Sequence, residues 1–352
     1  MKLVITTGGT GGHVYPAIAV AQELLSRDAN SEVLFIGGSG PERKMAEKAN
    51  IRFEEVPTCA FKKSTFDELT NTAKVNFAGI RTARRILKEF KPDVVMGFGG
   101  YASFPAVAAA RWLKIPTAIH EQNSIPGKAN RVLGKFVKKV FTSFEATKMI
   151  FPKGKSIHTG NPVRAEIFEA AKTPPSGKRL LVLGGSQGAH AINMAMLEAT
   201  PRVLGKGYTI LHQTGDADFE VVTESYAGRP GVKAVSFIDD MATAYANADV
   251  VICRSGASTL FEVAAAARPA IFVPYPYATD NHQHMNTKQL VDNNGAARII
   301  QADFNGVTLL NTLDTIAARP GMLTAISEAA AAFACPDAAK DIVDELKELT
   351  EI

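Results

Sequence analysis

A glycine-rich turn near the start of the chain ends on a histidine. Residues 8–13 read Gly-Gly-Thr-Gly-Gly-His and follow the apolar run 2–7. Glycines let backbone N–H groups approach an anion at a helix N-terminus, and a histidine can take up or release a proton near neutral pH. His13 is therefore predicted to act as a general base or to donate to an anion. The alternative is a histidine that only caps the start of a helix.

This turn does not have the pattern of a dinucleotide site. Val14 stands where the GxGxxG fingerprint needs its third glycine, and residues 35–38 contain no acidic residue that could bind a ribose. The sequence also contains no GxxxxGK[ST] phosphate loop. Neither a nicotinamide cofactor nor P-loop nucleotide hydrolysis is therefore expected.

A cluster of polar residues closes a later strand-like run. Residues 120–123 read His-Glu-Gln-Asn, and such side chains at the carboxyl end of a strand offer acid–base and hydrogen-bonding groups together. Glu121 is the second candidate for the general base, or the group that orients His13. The residue types alone do not decide between these two roles.

Two further segments have the properties of an anion and sugar site. The turn 184–189 combines glycines with Ser186 and Gln187, which add side-chain donors. The segment 254–259 follows a buried run and starts a helix, so its backbone N–H groups and the positive end of the helix dipole can bind an anion. Glu262 lies one turn further on, where its carboxylate could accept two hydrogen bonds from a ribose diol. Alternatively, it only stabilises the helix dipole.

No metal site is expected from the sequence. Asp239 and Asp240 are adjacent, so their carboxylates diverge, and His282 and His284 are two residues apart, which places them on different faces of a helix. The three cysteines form no CxxC pair. They therefore exclude a cysteine-based zinc or iron–sulfur site and fit a reducing compartment.

These segments need strands and helices that bring them to one edge of a sheet. Short apolar runs rich in Val and Ile alternate with helical patterns along the chain, which is typical of a parallel sheet with helices on both faces. Strands are predicted at residues 2–7, 32–36, 52–56, 93–96, 117–120, 139–142, 179–183, 208–212, 232–237, 249–253, 270–273 and 296–300. Since each half starts with a strand and a glycine-rich turn, the predicted fold class is α/β with two Rossmann-like domains.

The domain boundary lies near the middle of the chain. Residues 1–160 are predicted to form the first domain and residues 161–336 the second. The boundary itself is expected between Gly160 and the segment 172–178, which has the composition of a linker. A last amphipathic helix follows Pro336.

Charge is divided unevenly between the two halves. The formal net charge is +4, but residues 1–160 contain 24 Lys and Arg against 13 Asp and Glu, whereas the remainder contains 15 against 22. An anionic partner of the first half would account for this; the alternative is a basic surface that is only solvated. In a predicted helix at 71–90, one line of the surface carries Lys74, Arg81, Arg85 and Lys88. A basic amphipathic helix predicts contact with an anionic membrane surface.

Five motifs resemble the MurG family of bacterial N-acetylglucosaminyltransferases, in order and spacing, over almost the whole chain. They are residues 8–16 (Gly-Gly-Thr-Gly-Gly-His-Val-Tyr-Pro), 120–123 (His-Glu-Gln-Asn), 160–164 (Gly-Asn-Pro-Val-Arg), 184–189 (Gly-Gly-Ser-Gln-Gly-Ala) and 253–257 (Cys-Arg-Ser-Gly-Ala). The resemblance implies a GT-B fold with two parallel sheets that face each other across a cleft. It places the acceptor on the first domain and the UDP-sugar on the second, and it implies that the last helix, residues 337–352, packs back on the first domain.

The resemblance also implies an activity. It is an inverting, metal-independent transfer of N-acetylglucosamine from UDP-N-acetylglucosamine to the muramyl 4-hydroxyl of lipid I. The product is lipid II, a β-1,4-linked precursor for peptidoglycan synthesis. No cofactor and no nucleic acid are implied. The implied location is peripheral, on the cytoplasmic face of the bacterial cell membrane, with other cell-wall synthesis proteins as further partners.

Roles for individual residues follow from the same resemblance. In the second domain, the UDP-sugar is expected to contact Ser186, Ile238, Ala257, Ser258, Thr259, Leu260, Phe261, Glu262 and Gln283, with Glu262 on the ribose. The residues themselves add Gln187 and Arg254 as donors to the diphosphate. The first domain is expected to complete the donor site with Thr10, Gly11, Gly12, Asn123 and Arg164. His282 departs from the paired glutamines of some relatives.

Three other functions are compatible with parts of this pattern. One is another GT-B transferase with a lipid acceptor, such as a diacylglycerol glycosyltransferase. The others are a UDP-N-acetylglucosamine epimerase and a non-enzymatic UDP-sugar sensor. An epimerase needs no membrane acceptor, so the basic first half argues against it, and a sensor has no use for His13 and Glu121 at one site.

Overall fold

The computed structural model describes residues 1–9, 11–60, 66–175, 177–185, 187–319 and 321–351. The chain divides into two compact units. Unit 1 comprises Met1–Arg164 and Cys335–Ile352, and unit 2 comprises Ala165–Ala334. Each unit is built on one parallel sheet.

Unit 1 contains a seven-stranded sheet. Its strands are β1 (Lys2–Thr6), β2 (Glu32–Gly37), β3 (Arg52–Glu55), β4 (Val94–Gly97), β5 (Thr117–Glu121), β6 (Lys139–Thr142) and β7 (Ser156–His158). Their order is β3-β2-β1-β4-β5-β6-β7. The order reverses between β1 and β4, and ligands of open α/β sheets bind at the carboxyl ends of the strands at such a point.

Helices cover both faces of this sheet. They are α1 (Gly11–Arg27), α2 (Glu42–Lys48), α3 (Phe66–Phe90), α4 (Ser103–Trp112), α5 (Lys128–Leu133) and α6 (Glu145–Lys148). Successive residues of a strand point to opposite faces, so Leu3 and Ile5 of β1 pack in one core while Val4 packs in the other. The second core also contains Ile86 and Leu87 of α3, which leaves the opposite face of that helix to solvent.

Unit 2 repeats this plan with six strands. They are β8 (Arg179–Leu183), β9 (Thr209–Gln213), β10 (Val232–Val235), β11 (Val250–Cys253), β12 (Ala270–Phe272) and β13 (Ala297–Arg298), in the order β10-β9-β8-β11-β12-β13. Its helices are α7 (Ala165–Phe168), α8 (His190–Gly205), α9 (Phe219–Tyr226), α10 (Met241–Ala246), α11 (Ala257–Ala265), α12 (His282–Asp292), α13 (Gly306–Ile316) and α14 (Met322–Ala331). The order reverses between β8 and β11, as it does in unit 1.

The last helix, α15 (Ala338–Thr350), belongs to unit 1. Its apolar stripe of Ile342, Val343 and Leu346 is fully buried in the core that also contains Val14 of α1. An ion pair of 2.6 Å between Arg27 and Asp344 adds to this contact at the surface.

The chain crosses between the units after Arg164, which lies within the predicted interval between residue 160 and the linker-like segment 172–178. The reason is Arg268, whose side chain is fully buried in unit 2. Its guanidinium donates to the carbonyl of Ala170 and, at 2.6 Å, to that of Thr173. These bonds hold the beginning of the linker-like segment within unit 2.

Every predicted strand has its counterpart, and the structure adds β7. That strand reads Ser-Ile-His at the sheet edge, with two half-buried residues and an exposed histidine, so it lacks the apolar run by which the other strands are recognised. Among the described residues, no helix combines the length and apolarity needed to span a bilayer.

Candidate functional site

In unit 1, the glycine-rich turn connects β1 to α1. Gly9 adopts φ +104°, which favours glycine, and a Cβ at Gly8 would lie 2.5 Å from the Cβ of Ala102. Gly11 and Gly12 form the start of α1, whose first turn contains no acidic residue. Thr10 lies outside the described residues.

His13 lies in the first turn of α1 and is half-buried. Its Nδ1 is 2.9 Å from Oε1 of Gln122. The ring packs against the backbone of the β4–α4 loop, since a Cβ at Gly99 would lie 3.3 Å from Cε1 and Nδ1 of His13. Its second ring nitrogen, Nε2, takes no part in these contacts.

Glu121 has a different environment from the one expected of a general base. Its side chain is buried, and Oε1 accepts from the backbone N–H of Asn123 at 2.9 Å. Oε2 accepts from the N–H of Gly127 at 3.0 Å and from Nδ2 of Asn130 at 2.9 Å. The carboxylate thus organises the loop that follows β5, and the side chain that bonds to His13 is that of Gln122.

Two other predicted residues of unit 1 lie near this edge. Asn123 is half-buried, and its side chain bonds to Glu121 at 3.4 Å. Arg164, also half-buried, stacks its guanidinium on the ring of Tyr15 at 4.4 Å from the centroid. Tyr15 belongs to α1, so the start of that helix brings together His13 and Arg164.

In unit 2, the turn between β8 and α8 is tightly packed. Gly188 adopts φ +77°, and a Cβ there would lie 2.1 Å from the carbonyl oxygen of Thr214. Gln213 supports the same turn by donating to the carbonyl of Gly185 at 2.9 Å. Gln187 is exposed at its tip, and Ser186 lies outside the described residues.

Helix α11 begins directly after β11. Thr259 and Glu262 are half-buried, and Tyr245, which is fully buried, donates from its hydroxyl to Oε2 of Glu262 at 3.3 Å. The predicted contacts Ala257, Ser258, Leu260 and Phe261 are buried. Because the ring of Phe261 packs on that of Phe333 with centroids 5.1 Å apart, this residue can offer a ligand only its backbone.

Arg254 binds within unit 2. Its guanidinium donates to the carbonyl of Val273 at 3.0 Å and to Oε1 of Gln301 at 2.8 Å, and it lies 5.4 Å from the ring centroid of Tyr275. Arg254, the predicted donor to a diphosphate, is therefore hydrogen-bonded within unit 2, where it stabilises the loop after β12.

The same loop is held by a second predicted residue. Oε1 of Gln283 accepts from the N–H of Tyr275 at 3.0 Å. His282 bonds through Nδ1 to the carbonyl of Thr279 at 2.7 Å, so its ring closes its own turn. Ile238 is half-buried in the loop between β10 and α10.

Sequence reasoning did not assign roles to Gln122, Asn130 and Tyr245. A signal existed for Gln122, because residues two apart on a strand point to the same side and Gln122 is two residues from His120. Asn130 and Tyr245 lie in other elements, and no local spacing connects them to their partners. Among the described residues, no group of three His, Cys, Asp or Glu side chains could hold a metal ion.

Comparison with known proteins covers both units. The profile of the glycosyltransferase family 28 N-terminal domain matches residues 3–142, and that of the family 28 C-terminal domain matches residues 179–342. The chain belongs to glycosyltransferase family 28. This membership confirms the predicted resemblance to a family of sugar transferases.

Relatives of this family 28 chain match it along nearly its full length. One, from Solidesulfovibrio magneticus, is named UDP-N-acetylglucosamine–N-acetylmuramyl-(pentapeptide) pyrophosphoryl-undecaprenol N-acetylglucosamine transferase. It is 44% identical over 98% of this chain and 97% of its own length. A crystal structure of MurG from Acinetobacter baumannii is 33% identical, covers 99% of both chains and has a TM-score of 0.75. This match confirms the predicted GT-B class of two Rossmann-like units.

A UDP-GlcNAc 2-epimerase from Neisseria meningitidis, solved with UDP-GlcNAc, also has this fold. Its TM-score is 0.70 over 99% of this chain and 100% of its own, but its identity is 15%. That likeness of the family 28 chain to an epimerase concerns the fold alone.

Proposed function

We propose that this chain transfers N-acetylglucosamine from UDP-N-acetylglucosamine to the N-acetylmuramyl-pentapeptide of lipid I, which makes lipid II for peptidoglycan synthesis. The observation that carries this proposal is the near-full-length relationship to a transferase whose name states this donor and this acceptor. Both units take part in the match, so the relationship includes the turn with His13 and the helix with Glu262.

In this reaction His13 is the general base. It takes the proton from the muramyl 4-hydroxyl while that oxygen attacks the anomeric carbon of the donor sugar. The bond from this carbon to the diphosphate oxygen breaks, UDP leaves with the electron pair, and the new linkage is β-1,4 with inversion. The support is that His13 is half-buried with Nδ1 bonded to Gln122, so that Nε2 is the nitrogen available to a hydroxyl.

The donor is bound by unit 2 through its ribose and diphosphate. Glu262 accepts from the ribose hydroxyls, since its carboxylate is half-exposed and held from one side by Tyr245. The start of α11 and the turn with Gln187 stabilise the charge that develops on the departing diphosphate. Such donors need no metal ion, and we expect activity to survive EDTA.

The test is incubation with UDP-N-acetylglucosamine and a short-chain lipid I analogue. We expect UDP release that depends on the acceptor, together with a disaccharide product. Release of UDP without an acceptor, or conversion of the donor to its 2-epimer, would contradict the proposal and favour the epimerase. Transfer to diacylglycerol instead would favour the alternative lipid acceptor.

We further propose that unit 1 binds the cytoplasmic face of the membrane through α3. Lys74, Arg81, Arg85 and Lys88 are all exposed, while Ala83 on the opposite side is fully buried. Exposed apolar side chains accompany these charges: Phe77 of the same helix is 54% exposed, and Trp112, whose ring centroid lies 4.9 Å from the guanidinium of Arg84 of α3, is 60% exposed. Each basic side chain near an anionic surface is worth about 1 kcal/mol, so four give roughly 4 kcal/mol of reversible binding.

This contact can be tested with liposomes that contain anionic lipid. Binding should be clear at low salt and weaken strongly as salt rises, because exposed charges are screened. Changing the four basic residues to Glu should abolish binding without affecting transfer to a water-soluble acceptor. The matched control carries the same charge change on unit 2, at exposed Arg202, Arg229, Lys233 and Arg319. Equal binding by the two variants would move the membrane face elsewhere, for instance to the basic segment 128–139.

A further inference from the structure

Gln122 lies between two histidines at the carboxyl end of β5. Its Oε1 is 2.9 Å from Nδ1 of His13, and its Nε2 is 3.1 Å from Nδ1 of His120. Gln122 and His120 are both buried, whereas His13 is half-buried. The three side chains form one connected hydrogen-bond network that leads from the interior of unit 1 to the glycine-rich turn.

The directions of these bonds can be worked out from groups that only accept. The carbonyl of Gly160 lies 3.0 Å from Nε2 of His120, so Nε2 must carry the proton. Burial lowers the pKa of His120 to about 4, so the ring is neutral near pH 7 and its Nδ1 bears a lone pair. His120 therefore accepts at Nδ1 and needs a donor there.

The amide of Gln122 has only one orientation that satisfies its neighbours. Its Nε2 faces the carbonyl of Phe98 at 2.9 Å as well as Nδ1 of His120. These two nearest acceptors use the two amide protons, and the carbonyl of His120 lies further away at 3.4 Å. The reverse orientation would set Oε1 against all three acceptors. Oε1 must then face His13, and because Oε1 can only accept, Nδ1 of His13 must donate.

We infer that Gln122 is a positioning residue that holds His13 in the tautomer with its proton on Nδ1, which leaves the lone pair on Nε2. The importance of Gln122 for catalysis rests on the proposed function, in which Nε2 of His13 removes the proton from the acceptor hydroxyl. The tautomer itself is a property of unit 1 and does not depend on which substrate the protein uses.

The surroundings of His13 keep the ring in this bond. Gly99, at φ +86°, allows the backbone to approach the ring to a distance that a side chain there would obstruct. The loop that contains Gln122 is fixed in turn by Glu121, which accepts from Asn130 and from the loop backbone. These bonds give Glu121 a supporting part in the loop, and its part in catalysis stays a prediction.

The decisive measurement is the ¹⁵N spectrum of the histidine rings in the protein without substrates, near neutral pH. The chain contains seven histidines, and the His13 signals are identified by their loss in His13→Gln. We expect Nδ1 of His13 and Nε2 of His120 to show the shifts of protonated nitrogens. A proton on Nε2 of neutral His13 in the wild-type protein would overturn the inference without any variant.

Variants then test whether Gln122 is the cause. In Gln122→Met the acceptor is lost, so we expect a mixture of His13 tautomers and a fall in kcat of roughly 10–100-fold, the usual effect of a partner that orients a histidine. Gln122→Glu keeps an oxygen opposite Nδ1 and should preserve the tautomer. His120→Phe should preserve it as well, because the Phe98 carbonyl still orients the amide. Gln22→Met, on the exposed side of α1, is the matched control.

The outcomes separate this inference from the proposed function. If His13 keeps one tautomer and an unchanged kcat in Gln122→Met, Gln122 is not a positioning residue, whatever the reaction is. If the tautomers behave as expected but no sugar is transferred to lipid I, the proposed function is wrong and the assignment of the network stands.

Discussion

Both units contain a buried histidine whose ring nitrogens are both hydrogen-bonded, one of them to a side-chain amide. In unit 1 this is His120, and in unit 2 it is His212, which is also fully buried. Nε2 of His212 bonds to Oδ1 of Asn193 at 3.0 Å, and Nδ1 bonds to the hydroxyl of Tyr226 at 2.8 Å. Burial lowers the pKa of each histidine to about 4, so both rings are neutral near pH 7.

The amides differ in where they lead. In unit 1 the Gln122 oxygen points outward to His13, so the interior sets the proton on a half-exposed ring. In unit 2 the Asn193 oxygen points inward to His212, and its nitrogen donates to the carbonyl of Thr214 at 2.9 Å and to Asp218 at 2.7 Å. We conclude that a buried histidine network by itself indicates packing, and we expect it to serve chemistry only where the oxygen of its amide faces a second, half-buried histidine, as in unit 1.

The strongest test of this distinction is His13→Ala. We expect kcat to fall by roughly 10²–10⁴-fold, the usual contribution of a general base, with little change in donor affinity. His158→Ala is the control, because His158 is an exposed histidine of the same unit that bonds to the carbonyl of Ser143 at 3.1 Å. A loss confined to the KM for the donor would make His13 a binding residue.

Glu262→Ala tests the part that unit 2 plays. Loss of charge-assisted hydrogen bonds to a ribose costs roughly 1.5–3 kcal/mol, so the KM for the donor should rise about 10- to 150-fold while kcat changes little. Glu224→Ala removes an exposed carboxylate on α9 of the same unit and should leave both constants as they are. A donor KM within about twofold of wild type would refute the ribose assignment.

Acid unfolding should reveal the feature that the two networks share. Between about pH 6.5 and pH 4 the two buried histidines are neutral in the folded protein but protonated in the unfolded chain. The unfolded state thus binds more protons, and stability falls as the pH falls through this window. Each histidine contributes roughly 3 kcal/mol to this loss, and none below pH 4.

The measurement is denaturant unfolding at several pH values for wild type, His120→Phe and His212→Phe. Between pH 4 and 6.5, the slope of the unfolding free energy against pH should correspond to about one bound proton fewer in each variant than in wild type. The carboxylates contribute equally to all three proteins. An unchanged slope in either variant would mean that its histidine is not neutral in the folded state.

The sequence predicted the architecture well because that signal is repeated and local. Each strand is an apolar run, and each glycine-rich turn follows one, so the β1–α1 turn and the start of α11 are found where they were expected. The edge strand β7 was missed because Ile157 is its only apolar residue.

Side-chain contacts could not be predicted in the same way, because many of them join distant segments. Glu121 is attractive as a base by residue type, but its carboxylate is occupied by Gly127 and Asn130 of its own loop. Arg254 is attractive as a phosphate ligand by residue type, but its guanidinium donates to the backbone carbonyl of Val273. The partner of each side chain depends on which backbone N–H and carbonyl groups of a loop lack a hydrogen bond. The spacing of residues in the sequence does not reveal those groups.

The smallest expected effect distinguishes the His212 network of unit 2 from the Gln122 network of unit 1. Tyr226→Phe removes the hydroxyl that donates to Nδ1 of His212 and leaves that nitrogen buried without a donor, so we expect a loss of about 1–3 kcal/mol in unfolding free energy. Tyr208→Phe is the control, since the hydroxyl of Tyr208, buried in the same unit, makes no hydrogen bond among the described residues. We assign no catalytic role to His212 or to the residues bonded to it. The kcat of Tyr226→Phe should therefore stay within about twofold of wild type, whereas we expect Gln122→Met to lower kcat. A fall in kcat without a change in stability would show that the unit 2 network also serves the reaction, and the distinction drawn from the direction of the two amides would then fail.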